Sequence, residues 1–512
     1  MLLPFFLRLA TGLFCLSGAV QAFAADLYRE PFRPQFHFTP ERNWMNDPNG
    51  MVYFEGEYHL FYQYNPFGDK WGHMSWGHAV SRDLVHWRHL PLALAEEHGV
   101  MIFSGSAVVD WRNTSGFGKD GKPPLVALYT GHHTAKPLQN QHIAYSTDRG
   151  RTWTKFRGNP VLDIGEKDFR DPKVFWHEPT RRWIMAVAWP VQRKVRLYSS
   201  PNLKEWSHLS DFGPAGSTSG IWECPDLFPV QLEGNRRESK WVLIVNVGSG
   251  APAGGSGCQY FVGEFDGTRF TPEVASPPAR WADYSRDFYA AVSWSDIPKR
   301  DNRRLWIGWM SNWEYAGAVP TSPWRSAMSL PRELMLRRSG HEHRLIQIPA
   351  RELRKLRGRP YHRGAGTVDE AADWLRRREV SGDQLEIDIE FESAGSGKFG
   401  LKVRQGEGEE TVIGCEPSGN RLFLDRTRAG KTDFHPKFSG IHEAPLSARN
   451  GRIRLRVFLD ASSIEVFANE GEATLTALVL PASASRGLEF WAEPDGPKIR
   501  RVDIWKLRSI WN

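Results

Sequence analysis

Three carboxylate residues of this 512-residue chain lie in short motifs whose residue types suit nucleophilic or acid–base chemistry. Asp47 lies in NWMNDPNG, Asp171 follows Arg170 in DFRDP, and Glu223 lies in WECPD. Hydrolysis of a glycosidic bond with retention requires two such groups. One attacks the anomeric carbon, and the other protonates the leaving oxygen and then activates water. These acids are therefore candidates for glycosidic chemistry.

Each acid also has a structural alternative. The residues from Asp47 onward, Asp-Pro-Asn-Gly, are those preferred in a type I turn at the end of a strand. Arg170 beside Asp171 would keep the carboxyl group of a functional Asp171 ionised, and the structural alternative is another turn or a structural ion pair. Glu223 could be a surface residue of a strand. Enclosed between a tryptophan and a cysteine, it would instead be partly desolvated, and its pKa would rise toward that of a general acid.

Other kinds of reactive site are not favoured. Cys224 has no histidine beside it in sequence that would activate a thiol, so we interpret it as a small buried thiol. The glycine-rich segment 248–257 lacks the Gly-Lys-Ser/Thr ending and the following helix of a phosphate-binding loop. The sequence has no HExxH motif and no zinc-like cysteine spacing, so we predict no metal ion and no cofactor. Bases and acids are interspersed at a net charge of +7, which does not predict a nucleic-acid partner.

Short strands must position these residues. Through the first 340 residues, apolar and aromatic runs alternate with Gly, Pro, Asn and Asp, as in GMVYFEGEYHLFYQYNP, a hairpin signal with its turn at Glu55-Gly56. A strand–Ser–turn–Trp unit recurs, with its serine at Ser81, Ser146 and Ser200. This recurrence predicts the blades of a β-propeller, and chance similarity among strand–turn sequences is the alternative.

The sequence divides into four segments. Residues 1–25 combine a basic residue, a short apolar run and an Ala-Phe-Ala site, which predicts a cleaved secretory signal peptide, with an uncleaved anchor as the alternative. Residues 32–350 form the predicted propeller, and residues 351–375 a basic linker or short helix. Residues 376–512 alternate with period two, which predicts an antiparallel β-sandwich. The mature protein is expected to be periplasmic or extracellular, without membrane insertion after removal of the signal.

The WMNDPNG, RDP and EC blocks, in this order, resemble glycoside hydrolase family 32, the family of invertases, inulinases and levanases. The resemblance extends through YHLFYQYNPFGDKWGHMSWGHAVSRDLVHW, DFYA, GWMSNWEYA and LDASSIEVFANEG, and so over nearly the whole chain after the signal segment. It implies an all-β fold, in which a five-bladed β-propeller is followed by a C-terminal β-sandwich.

The resemblance also implies roles for individual residues. Asp47 would be the nucleophile that forms a covalent fructosyl-enzyme, Glu223 the general acid/base, and Asp171 a stabiliser of the transition state with Arg170 beside it. Anionic groups suit a positively charged, oxocarbenium-like transition state. The positions that match residues lining the family's substrate pocket are Asn46, Asn49, Gln63, Trp71, Phe103, Ser104 and Trp313. Each of the two tryptophans, Trp71 and Trp313, could equally pack in the core.

The expected function is that of a secreted, exo-acting β-fructosidase that releases fructose from levan or inulin and also cleaves sucrose. A fructosyltransferase and an endo-acting fructanase share the same chemistry and are the enzymatic alternatives. A non-catalytic fructan-binding protein on the same scaffold is the alternative from another class. Levan and inulin are equally compatible with the sequence as polymer substrates, and no oligomeric state is predicted.

Overall fold

The computed structural model describes residues 27–392 and 395–511, which are built almost entirely from β-strands. The predicted signal peptide, residues 1–25, lies outside the described residues. Within the described ranges, no helix is long and apolar enough to cross a bilayer. Two groups of sheets follow one another along the chain, as the all-β prediction requires.

The first three sheets are antiparallel meanders, in which each strand pairs with the next one along the chain. The first sheet contains β1 (Asn43–Phe54), β2 (Glu57–Asn65), β3 (Ser75–Ser81) and β4 (Trp87–Leu94). The second contains β5 (Val100–Val109), β6 (Leu125–His133), β7 (Leu138–Ser146) and β8 (Thr154–Lys155). The third contains β9 (Arg170–His177), β10 (Arg182–Trp189), β11 (Lys194–Ser200) and β12 (Ser207–Phe212).

A ten-stranded sheet follows and contains two further meanders, joined by a single parallel contact between Leu232 and Leu336. The first is formed by β13 (Trp222–Leu232), β14 (Asn235–Val247), β15 (Gly257–Phe265), β16 (Phe270–Pro272) and β17 (Arg280–Trp281). The second is formed by β18 (Tyr289–Ser293), β19 (Arg304–Met310), β21 (Ala327–Met328), β22 (Arg332–Ser339) and β23 (Glu342–Pro349). A short 3-10 helix, Ala316–Ala318, follows β19, and β20 (Trp324–Arg325) joins the first sheet beside β1.

The first strands of these five meanders lie next to one another in a closed ring. Strand β1 contacts β5, β5 contacts β9, β9 contacts β13, β13 contacts β18, and β18 contacts β1. Each pairs with its neighbour in its own sheet through a ladder that shifts register near the start of the inner strand. Such bulges bend a strand and redirect its side chains, and they are frequent beside active sites.

The strand–Ser–turn–Trp unit occupies one place in the first three sheets, between the third and fourth strands. In each copy the serine hydroxyl donates to an Asp or Asn two residues later, and the indole N–H donates to a carbonyl three residues earlier. The recurrence is therefore structural repetition. The three Ser–Asp/Asn pairs are Ser81-Asp83, Ser146-Asp148 and Ser200-Asn202. At the corresponding place in the fourth meander, Asp266 accepts main-chain N–H groups before β16.

The NDPNG stretch lies inside β1, which corrects the expectation that Asp47 opens a turn at a strand end. The pairing with β2 shifts register twice, between Met45 and Pro48 and between Asn49 and Val52. A bulge accommodates a proline inside a sheet because proline has no N–H to offer the ladder. The turn-like composition therefore encodes a distorted strand. The hairpin turn itself comes later, where Phe54 pairs with Glu57 as predicted.

The second part of the chain consists of two antiparallel sheets that pack face to face, in agreement with the predicted β-sandwich. Their buried faces share one core of Leu, Ile, Val and Phe side chains. The six-stranded sheet contains β24 (Arg357–Arg363), β25 (Leu385–Glu392), β30 (Arg452–Asp460), β31 (Ser463–Ala468), β32 (Ala473–Leu478) and β34 (Lys498–Leu507). The five-stranded sheet contains β26 (Phe399–Gly406), β27 (Glu409–Glu416), β28 (Arg421–Arg428), β29 (Ile441–Pro445) and β33 (Gly487–Ala492).

Residues 351–375, interpreted from sequence as a linker or short helix, lie in regular elements. They contain a 3-10 helix (Arg351–Leu356), the edge strand β24 that pairs with β34, and most of α1 (Val368–Arg377). A capping box between Thr367 and Glu370 begins α1, which packs on β33. The linker assignment is therefore corrected. Of the basic residues that suggested a linker, Arg351, Arg354, Lys355 and Arg359 are exposed, whereas Arg357 and Arg363 are partly buried and paired with acids.

A buried charge network joins the two groups of sheets. Arg332 of β22 lies 2.7 Å from Glu465 of β31 and 3.2 Å from Asp283. His37 lies between Glu465, at 3.1 Å, and Asp460, at 2.7 Å. Burial alone would lower the pKa of His37, but its hydrogen bonds to the two carboxylates outweigh this effect and raise the pKa to about 9. His37 is therefore a buried cation at neutral pH.

We predict that the free energy of unfolding falls at alkaline pH because of His37. The pKa of histidine in an unfolded chain is about 6.5, so the contribution is complete below that pH and is lost as pH rises through about 9. The difference corresponds to about 3 kcal/mol. Urea denaturation of the wild type and of His37→Gln over this pH range measures it. The alkaline decrease should be weaker in His37→Gln, and equal decreases in both proteins would contradict the assignment.

Candidate active site

The three predicted acids meet at one end of the ring of inner strands. Asp47 comes from β1, Asp171 from β9 and Glu223 from β13. The Sγ atom of Cys224 lies 3.5 Å from Oδ2 of both Asp47 and Asp171. Arg170, beside Asp171 in sequence, lies 2.9 Å from Oε1 of Glu223. Motifs that are far apart in sequence therefore build a single site.

Asp47 is held in one orientation by hydrogen bonds to both of its oxygens. The Ser104 hydroxyl donates to Oδ2 at 2.6 Å, and the Asn46 amide donates to Oδ1 at 2.9 Å. The Trp44 indole N–H donates to Asn46 Oδ1 at 2.7 Å and so fixes the amide. Burial raises the pKa of Asp47, the bonds from Ser104 and Asn46 oppose the rise, and the charge of Glu223 adds to it. A carboxylate fixed in this way suits nucleophilic attack.

Asp171 is buried, and its backbone has a φ of 67°, in the left-handed region. Its Oδ2 accepts the backbone N–H of Cys224 at 2.9 Å. Burial raises the pKa of Asp171 to about 7, Arg170 opposes the rise, and the charges of Glu223 and Asp47 add to it. Arg170 therefore favours the ionised form of Asp171, but it does not offset the effect of burial. The guanidinium of Arg170 is bonded to Glu223.

Glu223 is the most accessible of the three acids, with 19% of its side chain exposed. Its Oε1 accepts from Arg170, and its Oε2 accepts the Tyr289 hydroxyl at 2.6 Å. Trp222 packs into the core between sheets, and the Cys224 thiol points toward the other two acids. Glu223 is therefore not enclosed by its sequence neighbours. Its environment consists of a cation, a phenol and the open cavity.

Tyr289 is a site residue that the sequence reasoning does not single out, although it lies in the quoted DFYA motif. It begins β18, where the ladder with β19 shifts register and Ala290 has a φ of 51°. Burial and the charge of Glu223 raise the pKa of the Tyr289 hydroxyl well above its ordinary value, so it stays protonated and donates. Gln139, whose Oε1 accepts from Arg170 at 3.1 Å, lies in no recognisable motif.

The remaining predicted pocket residues surround the acids at different depths. Trp71 and Trp313 are 47% and 37% exposed, which favours ligand contact over core packing for both. Phe103 stacks on His132, with ring centroids 4.5 Å apart, and meets Trp71 edge-on at 6.0 Å. Gln63 is buried, and its amide donates to a main-chain carbonyl of β5 at 2.9 Å. These side chains can therefore form the walls of a sugar pocket.

Asn49 differs from the prediction that it contacts substrate. It is fully buried and borders a small internal cavity below the acids, together with Pro172 and Pro225. Its Oδ1 accepts the N–H of Gly105 at 3.4 Å. A side chain without exposed surface does not reach a ligand. Asn49 is therefore corrected to a structural residue that holds β5 against β1.

Cys224 is a buried free thiol, and thiol catalysis is not supported. Burial raises the pKa of the thiol well above its ordinary value, and the neighbouring charges of Asp171 and Asp47 add to the rise. The thiol therefore stays neutral and can donate a weak hydrogen bond to either carboxylate. Within the described ranges, no group of three or more His, Cys, Asp and Glu side chains could hold a metal ion.

Glu223 opens onto a cavity of about 540 Å³. Gly248 and Ser249, at the start of the glycine-rich segment 248–257 interpreted from sequence as a loop, form part of the cavity wall. A space of this size beside the candidate acid leaves room for the leaving part of a saccharide. The residues that line it include Arg193, Ser219, Ile221, Ser249 and Trp313.

Family models match nearly the whole described chain. The model of the glycosyl hydrolases family 32 N-terminal domain matches residues 37–349, and that of the family's C-terminal domain matches residues 352–506. The chain belongs to glycosyl hydrolase family 32. As a family 32 protein it is a glycoside hydrolase, in agreement with the resemblance seen in its motifs.

The family 32 enzyme is similar to proteins named as levanases and exo-inulinases over nearly its full length. It is 52% identical over 503 residues to a levanase of Bacillus subtilis (strain 168), covering 97% of this chain and 74% of that protein. It is 40% identical over 540 residues to an extracellular exo-inulinase of Aspergillus awamori, covering 98% of this chain and 99% of that protein.

Solved structures agree with this assignment. The crystal structure of the exo-inulinase from Aspergillus awamori matches with a TM-score of 0.88 at 39% identity, covering 94% of this chain and 100% of that chain. A β-fructofuranosidase from Schwanniomyces occidentalis, complexed with fructosyl-erythritol, matches with a TM-score of 0.84 at 32% identity, covering 94% of this chain and 99% of that chain. The family 32 enzyme therefore shares its whole fold with fructose-processing hydrolases.

Proposed function

We propose that this family 32 enzyme is a β-fructosidase that releases fructose from fructans and sucrose with retention of configuration. The observation that carries the proposal is the different setting of two acids in one site. Asp47 is buried and fixed by Ser104 and Asn46, as a nucleophile requires. Glu223 is accessible beside a cavity, as a proton donor to a leaving group requires. The relatives named levanase and exo-inulinase support fructans as the substrate class.

In the first step, a carboxylate oxygen of Asp47 attacks the anomeric carbon of the terminal fructosyl unit. The bond from that carbon to the leaving oxygen breaks, and Glu223 gives its proton to this oxygen. The products are a covalent fructosyl-enzyme and a saccharide shortened by one unit. Arg170 and Tyr289, bonded to the two oxygens of Glu223, hold the proton donor in position.

In the second step, Glu223 takes a proton from a water molecule as the water oxygen attacks the anomeric carbon. The bond to Asp47 breaks and fructose leaves. Two displacements on opposite faces of the sugar retain its configuration. Glu223 is then protonated and Asp47 ionised, so the starting state is restored.

Asp171 stabilises the positive charge that develops on the fructosyl ring and accepts hydrogen bonds from its hydroxyl groups. Its burial makes this charge effective, because few water molecules screen it. Trp71, Phe103 and Trp313 offer flat faces to the sugar, while Asn46 and Gln63 offer amide groups. The same burial makes the site sensitive to pH, because the pKa of Asp171 is raised to about 7.

The ionisation of Asp171 predicts a shift in the pH profile. The acidic limb of kcat/KM reports ionisations of the free enzyme, and the pKa of Asp171 is raised to about 7. Asp171→Asn removes this ionisation from the profile. The acidic limb therefore moves to lower pH, although the rate itself falls. Measurement of kcat/KM against pH tests this, and an unmoved limb in the variant would contradict a role for the ionised Asp171.

We also propose the finer architecture of a five-bladed propeller over residues 32–350 and a sandwich over residues 376–512. The closed ring of five inner strands supports five blades, since each inner strand begins one meander. The ten-stranded sheet then represents two blades linked by the contact between Leu232 and Leu336.

We propose secretion of the enzyme, to the periplasm or the medium. The signal-like composition of residues 1–25 supports this, and so do relatives named as extracellular exo-inulinases. A polymeric fructan is degraded outside the cell when it is too large to enter. Loss of secretion on deletion of residues 2–25, measured by immunoblot of cell and medium fractions, tests the proposal.

Product analysis tests the activity. We expect fructose alone from levan and inulin, and fructose with glucose from sucrose, when products are separated by ion-exchange chromatography. A ladder of oligosaccharides from the polymers would instead indicate endo action. Longer saccharides from concentrated sucrose would indicate a transferase. Binding without any product would indicate a non-catalytic fructan-binding protein.

A further inference from the structure

A second, larger cavity lies at the opposite end of the inner strands from the acids. It has a volume of about 860 Å³. Strand β9 contains Asp171 near its start, reaches the inner end of this cavity at Lys173 and follows its wall to His177. At about 3.3 Å per strand residue, Trp176 is about 16 Å and His177 about 20 Å from Asp171. The outer part of the cavity, where Trp176 lies, is therefore far from the bond that is cleaved.

A buried charge pair separates the two cavities. Lys173 Nζ lies 3.2 Å from Asp226 Oδ2 and donates to the main-chain oxygen of Ser293 at 2.5 Å. Asp226 has no exposed surface, and its Oδ1 has no hydrogen-bond partner. These side chains come from three inner strands and close the centre of the ring between the acids and the second cavity. The second cavity is therefore a site of its own and not an extension of the active site.

Two tryptophan side chains in this cavity are fixed by carboxylates. Trp111 is 61% exposed, and its indole N–H donates to Asp296 Oδ1 at 2.8 Å. The Trp176 indole N–H donates to Glu178 Oε2 at 2.5 Å, and the Arg112 guanidinium lies over the Trp176 ring at 5.1 Å. Trp111 is exposed, whereas Trp176 is half-buried. A ring that is already held in place loses little conformational entropy when a ligand covers its free face. The cavity thus offers preorganised flat apolar faces.

The charges around the cavity favour a neutral ligand. Four cationic and three anionic side chains line it, and several are paired with one another. A phosphate or nucleic acid would require an excess of unpaired cations, which this lining does not offer. Flat aromatic faces beside fixed polar groups match the alternating apolar faces and hydroxyl groups of a saccharide. The charged residues are Arg112, Lys173, Lys299, Arg304, Glu178, Asp226 and Asp296.

We propose that this cavity is a second carbohydrate-binding site, which holds a fructan chain at a distance from the active site. The identity of the saccharide as a fructan rests on the proposed function. Trp111 and Trp176 supply the stacking faces, and Asp296 and Glu178 orient them. The site retains the enzyme on a polymer while the active site removes terminal units. It contributes nothing to turnover of sucrose, which is too short to reach both sites.

Affinity electrophoresis tests this site with the full-length enzyme in gels containing levan, inulin or dextran. Excess fructose in every gel occupies the active site, so that the remaining retardation reports other sites. Wild-type enzyme should be retarded by levan or inulin. The double variant Trp111→Ala/Trp176→Ala should bind the same polymer about three- to tenfold more weakly. Its kcat/KM for sucrose should stay within about twofold of the wild type, since the site is remote.

Two further variants keep the test decisive. Ile441→Ala, at an exposed apolar residue of the sandwich, is the matched control and should be retarded like the wild type. Asp296→Asn changes the residue that orients Trp111 and serves as the second variant if the double variant does not fold. Unchanged retardation in the variants, or equal retardation by dextran, would overturn the second site. Failure of the wild type to cleave sucrose or fructans would overturn the proposed function instead.

Discussion

Replacement of Asp47 by alanine or asparagine will abolish fructose release, with a fall in kcat of about 10⁴-fold or more. The proposed mechanism forms a covalent bond to this carboxylate, and Asn46, Ser104 and Cys224 are arranged around it. Neither of the other two acids of the site shares that setting, because Glu223 is bonded to Arg170 and Tyr289, and Asp171 accepts the backbone N–H of Cys224. Initial rates with sucrose and levan measure the effect.

Ser104→Ala is the matched control for Asp47. It removes the 2.6 Å hydrogen bond to Oδ2 and leaves the nucleophile in place. A hydrogen bond to a charged group contributes about 1.5–3 kcal/mol, so kcat/KM should fall by about 10- to 100-fold. Both variants should unfold at urea concentrations close to that of the wild type. Substantial turnover by Asp47→Ala, or an equal loss in both variants, would contradict the nucleophilic role.

Loss of Glu223 will depend on the leaving group, which distinguishes a proton donor from a residue that only binds. Glu223→Ala should lower kcat for sucrose by about 10²- to 10⁴-fold, because the departing sugar oxygen requires a proton. Formation of the fructosyl-enzyme from β-fructosyl fluoride should be affected far less, because fluoride leaves without protonation. Stopped-flow measurement of fluoride release separates this step from the later hydrolysis.

Azide completes the test of Glu223. In Glu223→Ala the second step lacks its base, and azide, which attacks without general-base help, should restore turnover and yield fructosyl azide. Glu223→Gln keeps an oxygen and an amide near Arg170 and Tyr289 and controls for their displacement. Equal losses with sucrose and with the fluoride, without rescue by azide, would assign Glu223 to binding alone.

The sequence predicts the fold class and the main acids because both depend on local patterns. Period-two alternation indicates strands wherever they lie, and the Ser81 unit repeats because each copy makes the same local hydrogen bonds. The motifs of Asp47, Asp171 and Glu223 are each conspicuous in sequence. Their meeting is not visible there, since it depends on how the ring of inner strands closes.

The remaining features depend on packing between distant strands. Tyr289 becomes a site residue because β18 closes the ring beside β13, and Gln139 because β7 brings it to Arg170. Asn49 has the amide side chain expected of a residue that binds sugar hydroxyl groups, but this side chain is fully buried. The pKa of Asp171 rises because burial outweighs the adjacent Arg170, and burial is not visible in a dipeptide.

Identification of the residue that carries the fructosyl group tests the proposed covalent mechanism most directly. Glu223→Gln, which forms the intermediate from β-fructosyl fluoride faster than it hydrolyses it, is quenched with acid, digested and analysed by peptide mass spectrometry. We predict one added fructosyl group on the peptide that contains Asp47, and none in Asp47→Ala/Glu223→Gln. A fructosyl group on Asp171 or on another residue, or fructose release without any labelled peptide, would contradict the mechanism.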